Sequence, residues 1–381
     1  MDKQLINCVN YYGDNCGCGF YRMHFPAMTL KTMMGGQFRF KFVESEMPIL
    51  DYRYYASIGL IRCIRIQRWF TKQHAEIVKS FLKPLCDRIG IWLVYEIDDV
   101  LLYDEIPKYN LAKEHYSQER IGNSVQEIFD CCDLITVTTP ELKNLYATRL
   151  NQPLKKIVVI PNYLPRWWIG EAYDLDRQLK QWDAQHMKPH IGFACSTNHF
   201  DVGNANNGID DFSAIVPWIK KNVSKYHFAF IGGLPQQLKE EAQKGIVEQQ
   251  PPSDIFNYPR EMLMRKADLL IAPLIDNEFN RCKSNIKWLE MSALGIPMIG
   301  QNICTYNKYT DQVFDTEDDI ENWIDKLFFQ KDSRDRVASM LTRNRKIIDG
   351  VGPRDGYWLE KNIASYYNLY TIQQKTMNIE L

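Results

Sequence analysis

Apolar and polar positions along the chain follow two periods that take turns. LINCVN (5–10) is a short apolar run ending in the turn-rich stretch YYGDNCGCG, and FYRMHFPAMTLKTMM after it has helical spacing. Pro26 fits that helix only near its start or at a kink. FRFKFVES (38–45) and IRCIRIQ (61–67) read as strands, the first with one exposed face. Apolar residues at 77, 78, 81, 82 and 85 form a helical stripe, and IWLVYEID (91–98) is continuous enough for a buried parallel strand. A helical region (111–131), the strand DLITVTT (133–139), a helix opening on Pro140 and the strand KKIVVIPN (155–162) complete the series. The rhythm breaks over 163–188 and then resumes. Strands are expected at 190–195, 226–233, 267–274 and 296–300, and a helix over 284–294 stopped by Gly295. Such alternation predicts an α/β chain with two parallel, Rossmann-like sheets. The expected divisions are 1–165, a linker at 166–187, a second half at 188–350, and a helical segment at 351–381.

Length and composition agree with two domains: 381 residues, 45% apolar and 24% charged. No stretch approaches the roughly 20 uninterrupted apolar residues of a membrane-spanning helix. MDKQLINCVNYY lacks a basic region followed by an apolar core, so a cytoplasmic protein is expected, without membrane partners and with its ten cysteines reduced. A net charge of −1 leaves nucleic-acid binding to local patches.

In doubly wound sheets, ligands lie beyond the carboxyl ends of the strands, so the residues following strands carry the candidate chemistry. IAPLIDNEFNRCKSNIKWLEMSALGIPMIG (271–300) places Arg281 and Lys283 just before a helix starting near Ser284. A helix start offers unpaired amides and partial positive charge, a natural seat for phosphate. Lys283, Lys287 and Glu290 share one side of that helix. Glu290 could take two ribose hydroxyls; a solvated face with a Lys–Glu pair is the plainer alternative. Asp98 and Asp99 end a strand, where they could orient or deprotonate a hydroxyl or simply cap a loop. The loop 11–22 offers Gly19 and Arg22 as ligand contacts, without the spacing of a dinucleotide fingerprint. Ser196, Thr197, His199 and Asp201 follow the first strand of the second half, and Tyr258 could stack on a base or pack in the core.

The segment 273–297, PL-x-D-N-x-F-N-R-x-K-S-x-x-K-x-x-E-x-x-A-L-G-I-P, resembles the donor-site signature of bacterial and bacteriophage glycosyltransferases of the GT-B type. YEIDDVL, CCDLITVTTPEL, VVIPNYLP and HIGFACSTNHFDV resemble further segments of that group in the same order, over roughly residues 90–300. The resemblance implies an acceptor-side first domain, a nucleotide-sugar donor domain, and a last helix that returns to the first domain. It implies a UDP-sugar donor, transfer to a hydroxyl with retained anomeric configuration, no required metal and no tightly bound cofactor. Arg281 and Lys283 become diphosphate ligands and Glu290 the ribose ligand, while Cys282 stands where the broader family often has a sugar-facing glutamate.

For the acceptor, the run from Tyr52 to Ala75 carries Arg53, Arg62, Arg65, Arg68 and Lys72 with no acidic residue, interleaved with Tyr54, Tyr55 and Trp69. Arg65, Arg68, Trp69 and Lys72 are the residues expected to meet an acceptor; with this run, the resemblance to bacteriophage enzymes implies double-stranded DNA whose 5-hydroxymethylcytosine receives glucose or arabinose. A solvated strand edge is the alternative for this run. The competing functions are a transferase building surface polysaccharide or glycosylating protein, and a non-catalytic nucleotide-sugar-binding module.

Overall fold

The computed structural model of the chain describes residues 5–44, 61–183, 188–200, 209–265, 267–352 and 355–371. Two six-stranded sheets organise it. The first consists of β1 (Ile6–Tyr12), β2 (Phe38–Glu44), β3 (Ile61–Gln67), β4 (Leu93–Glu96), β5 (Leu134–Val137) and β6 (Ile157–Val159), in spatial order β2-β1-β3-β4-β5-β6. The second consists of β7 (His190–Cys195), β8 (His227–Gly232), β9 (Val247–Gln250), β10 (Leu269–Ala272), β11 (Met298–Gln301) and β12 (Val313–Phe314), in order β12-β11-β10-β7-β8-β9. Every pairing is parallel.

Central strands are apolar on both faces, as helices covering both sides require. Leu93, Val94 and Tyr95 of β4 and Leu269, Leu270 and Ile271 of β10 are all buried. The expected strands all appear, with ends shifted by at most three residues. The unforeseen ones are the edges β9 and β12: VEQQ is too polar and VF too short to show a period.

The first helical run begins at Gly17 and ends with α1 (Phe25–Met33), passing through a wider π-type turn at Phe20–His24. Pro26 lies inside this run rather than at its start. Having no N–H, it leaves the Arg22 carbonyl one turn earlier without its helical donor. Arg65 Nη1 donates to that carbonyl at 3.3 Å. Gly19 is fixed by packing: a Cβ there would lie 1.9 Å from the Asp14 carbonyl oxygen, while its N–H donates to Asp14 Oδ1 at 3.0 Å.

In the second half, α2 (Ile286–Leu294) starts two residues later than expected, after Asn285, and ends at Gly295 with φ +71°. After residue 350 the chain returns to the first half: Leu164 N–H donates to the Tyr357 carbonyl and Leu359 N–H to the Leu164 carbonyl, both at 2.9 Å. The final helix α3 (Leu359–Thr371) then lies against α1 and β3 of the first sheet.

A buried charge cluster holds the first half together. Glu96 at the end of β4 accepts from Arg22 Nε at 2.7 Å and Arg65 Nη2 at 2.9 Å, and also from Thr136 Oγ1 of β5. All three charged side chains have no solvent exposure. Arg65 Nη1 also donates to Tyr370 Oη of α3 at 2.7 Å. Replacing one partner strands the others in a dry interior. Glu96→Gln is expected to cost about 3–5 kcal/mol, read as a lowered midpoint in urea denaturation; a change within about 0.5 kcal/mol would show that the cluster carries no weight in folding.

Candidate functional site

The carboxyl ends of the two sheets face one another across a cavity of about 260 Å³. The first half contributes Gly17, Cys18, Tyr21, Asp98, Asp99 and Asn162. The second contributes His199, Lys283, Ser284, Lys287, Glu290 and the apolar side chains Leu274 and Ile286.

The second-half wall is cationic. Lys283 and Lys287 both line it, and among the described residues neither forms an ion pair. Lys283 Nζ sits 4.6 Å from the centre of the Phe279 ring. Burial lowers the Lys287 pKa, and the like charge of Lys283 adds to the effect. Two ammonium groups at the start of α2, where helix amides lack partners, form a site short of negative charge.

Arg281 lies outside the cavity wall. Its side chain is 52% exposed and grips Asp276 with two bonds, Nε–Oδ1 at 2.6 Å and Nη2–Oδ2 at 2.7 Å. Of the expected Arg281–Lys283 pair, the cavity wall holds Lys283, and Lys287 stands beside it. Lys287 stands in the first turn of α2 and Lys283 in the turn that leads into it, while Arg281 ends a separate short helix, Glu278–Arg281, and its exposed side chain is taken by Asp276. Cys282 is buried; its carbonyl accepts from Thr139 Oγ1 of the first half at 2.9 Å.

Glu290 lies deeper in the cavity. Tyr21 Oη donates to its Oε1 at 2.5 Å and Tyr258 Oη to its Oε2 at 3.1 Å. Burial raises its pKa, opposed by these two bonds. A carboxylate offers about four acceptor positions, so two remain for further hydroxyls. Tyr258 stacks on Trp168 at 6.0 Å and does not line the cavity; it supports Glu290 in place of stacking on a base. Ser284 Oγ accepts from Asn162 Nδ2 at 2.9 Å, a bond from one half to the other.

The opposite wall is acidic. Asp98 is nearly buried and Asp99 about one-quarter exposed. Arg68 lies between them, with Nε 3.6 Å from Asp98 and Nη2 3.7 Å from Asp99, and Nη1 3.3 Å from Asp14. Arg68 takes φ +54°, a left-handed conformation that costs a non-glycine residue energy and is retained here beside the cavity. Burial raises the Asp98 pKa against the pull of Arg68, and Asp98 Oδ1 is a buried oxygen without a hydrogen-bond donor.

His199 faces both lysines. Its Nδ1 lies 2.9 Å from Asp211 Oδ2, and burial, with the charges of Lys283 and Lys287, outweighs that contact and pushes its pKa down to about 4. Ser196 and Thr197 are exposed and outside the cavity wall, and Ser196 Oγ caps the 197–199 turn. Asp201 lies outside the described residues, as do Tyr52, Arg53, Tyr54 and Tyr55.

Several other expected contacts fall elsewhere. Arg22 is fully buried on Glu96 and donates to Ile160 O, Pro161 O and Asn162 Oδ1, so it positions Asn162 and cannot reach a phosphate. Gly19 packs on Asp14; its neighbours Gly17 and Cys18 are the ones at the cavity. Arg65 and Trp69 are interior, with Trp69 edge-on to Tyr11 and flat on His74. Lys72 is exposed, so the run 61–72 is no continuous basic surface. A strand buried on both faces hides alternate arginines in either direction.

Among the described residues, no group of three or more His, Cys, Asp or Glu side chains is placed to hold a metal ion, and no helix is long and apolar enough to cross a membrane.

No family model and no curated protein sequence matches the chain. Solved structures do. Anabaena Alr3699/HepE, in complex with UDP and glucose, aligns at TM-score 0.57 and 11% identity, over 97% of this chain and all of its own. The same protein with UDP-glucose aligns at TM-score 0.58 and 11% identity, over 95% of this chain and 99% of its own. A glycosyltransferase from Rickettsia africae aligns at TM-score 0.54 and 10% identity, over 96% of this chain and 98% of its own. This chain has the GT-B fold. The cavity lies in the cleft of that GT-B architecture, between its two parallel sheets.

The ring of His199 should remain neutral throughout the physiological range. In ¹³C-histidine NMR its C2–H resonance, assigned with His199→Gln, is expected to titrate with a midpoint of about 4. A midpoint near the ordinary value of about 6.5 would show that water enters the cavity freely.

Proposed function

We propose that the protein is a glycosyltransferase that moves a sugar from a UDP-sugar donor, glucose or arabinose, to a hydroxyl, with retention of configuration. The observation carrying this reading is the pair of lysines without ion-pair partners among the described residues, one just before α2 and one in its first turn, lining the same cavity as two aspartates of the other half. The GT-B neighbours crystallised with UDP and UDP-glucose support the donor class.

In this reading Lys283, Lys287 and the leading amides of α2 receive the diphosphate, and Glu290 takes the ribose hydroxyls with its free acceptor positions. Transfer breaks the bond between the anomeric carbon and the phosphate oxygen, whose electrons stay on the departing diphosphate. A new bond forms from the acceptor oxygen to the anomeric carbon. The acceptor's proton passes to the leaving phosphate oxygen or to Asp98. Stabilising the departing charge is the largest task, and two half-buried cations perform it without reorganisation. No metal is needed for that step.

The proposal stops at a hydroxyl acceptor. A hydroxymethylcytosine acceptor in duplex DNA needs a cationic surface on the Asp98 side of the cleft. Of the four residues expected to make one, Arg65 and Trp69 are interior and Arg68 is held by three carboxylates. Retention on hydroxymethylcytosine DNA that weakens as salt rises would overturn this restriction.

Titration calorimetry with UDP and a nucleotide-release assay with UDP-glucose test the donor site. Lys283→Ala and Lys287→Ala are each expected to weaken UDP about tenfold, and Arg281→Ala by less than about twofold, since its charge is spent on Asp276. Asp98→Asn should leave UDP binding within about twofold and lower turnover on the order of 100-fold. Absence of UDP binding at millimolar concentration would end the proposal, as would equal losses from Arg281→Ala and Lys287→Ala.

A further inference from the structure

One buried carboxylate receives bonds from both halves of the molecule. The Asp211 side chain is 1% exposed. Its Oδ1 accepts from the Tyr109 hydroxyl at 2.8 Å, the Asn280 amide at 2.8 Å and the Ile275 N–H at 2.9 Å. Its Oδ2 lies 2.9 Å from His199 Nδ1. Asn280, Ile275 and His199 belong to the second half; Tyr109 comes from the first, out of the loop that follows Glu105. Asn280 Nδ2 also lies 3.2 Å from the Tyr109 oxygen.

The chemistry of this group is directional. Burial opposes ionisation of Asp211, yet the bonds from His199 and the Ile275 amide prevail and hold its pKa below the usual carboxylate range. An ionised Asp211 must receive a proton from Nδ1, which leaves Nε2 as the lone-pair nitrogen of a neutral ring. His199 lines the cavity together with Lys283 and Lys287, so that lone pair is the part of the ring offered to a ligand. Burial raises the Tyr109 pKa and Asp211 raises it further, so the hydroxyl stays a donor.

We infer that Tyr109 is a positioning residue that reports closure: its hydroxyl reaches Asp211 only when the two halves meet, and through Asp211 it fixes His199 as a proton acceptor facing the cavity. The inference rests on the proposed transferase reading for its consequence in turnover. Lids and closures that complete a site on ligand binding follow the same logic. With the cleft open, Asp211 loses its cross-cleft donor and His199 gains water, and both changes make the ring more basic. Among the described residues the charged groups acting on the ring are Asp211, Lys283 and Lys287, and the lysines act against that rise.

The test uses Tyr109→Phe in the full chain, with Asn280→Ala as a control that removes a donor to the same oxygen from the same half as Asp211. Thermal melts establish that both variants fold. In ¹³C-histidine NMR, the His199 midpoint of Tyr109→Phe should rise by about one unit or more, and UDP-glucose turnover should fall about tenfold, with UDP affinity within about twofold. Asn280→Ala removes the amide's bonds to Asp211, the Ile275 carbonyl and the Tyr109 oxygen but leaves the Tyr109 hydroxyl donating to Asp211, so turnover should stay within about threefold. An unmoved midpoint in Tyr109→Phe, or losses in Asn280→Ala equal to those in Tyr109→Phe, would overturn the inference. If the wild type neither binds UDP nor consumes UDP-glucose, the transferase reading fails, and the His199 midpoint in Tyr109→Phe still decides the latch.

Discussion

Glu96 is where the molecule commits to its shape. A carboxylate without exposure at the end of a central strand is costly to bury and is tolerated only because two guanidinium groups and a hydroxyl converge on it. Those partners come from the first helical run, from β3 and from β5, and Arg65 extends the cluster to Tyr370 of the last helix. The cluster also reaches the cavity. Arg22 donates to Asn162, and Asn162 donates to Ser284 beside Lys283. The same electrostatic requirement that closes the first half thus sets the height at which α2 meets it.

The cavity itself is built on an imbalance. One wall carries two lysines without acidic partners and the other carries Asp98 and Asp99 around a single arginine. Like charges at close range in a partly dry space are unfavourable until an anion arrives, and the lowered Lys287 pKa reflects that tension. Contacts from half to half keep the walls at this distance: Tyr21 on Glu290, Tyr109 on Asp211, and Thr139 on the Cys282 carbonyl. Several of these use hydroxyl groups, whose bonds are individually modest and can be exchanged for water when the cleft opens.

Periodicity made the two sheets legible, because a strand covered on both faces must be continuously apolar; β4 and β10 announce themselves this way. Gly295 marked the end of α2 for an equally local reason, its left-handed φ. The motif YEIDD showed that the end of β4 matters, but its carboxylates divide between two tasks that sequence cannot separate. Glu96 points into the core and Asp98 and Asp99 toward the cleft. Lys287 had a visible signal, its place one turn after Lys283, yet Arg281 drew the reading because proximity in sequence resembles proximity in space. Tyr21 and Tyr109 carried no signal, since each acts through a partner about 100 or more residues away.

By itself the chain's pattern of apolar runs determined two parallel sheets, their order of appearance and the placement of candidate chemistry at strand ends, because these follow from local burial and the 3.6- and 2-residue periods. Which charges face the cleft was decided only in three dimensions. Arg22 and Arg65 went inward to a carboxylate, Arg281 outward to Asp276, and Lys283 and Lys287 into the cavity. A charge settles where the sum of desolvation and pairing is lowest, and that sum depends on partners the sequence places far away.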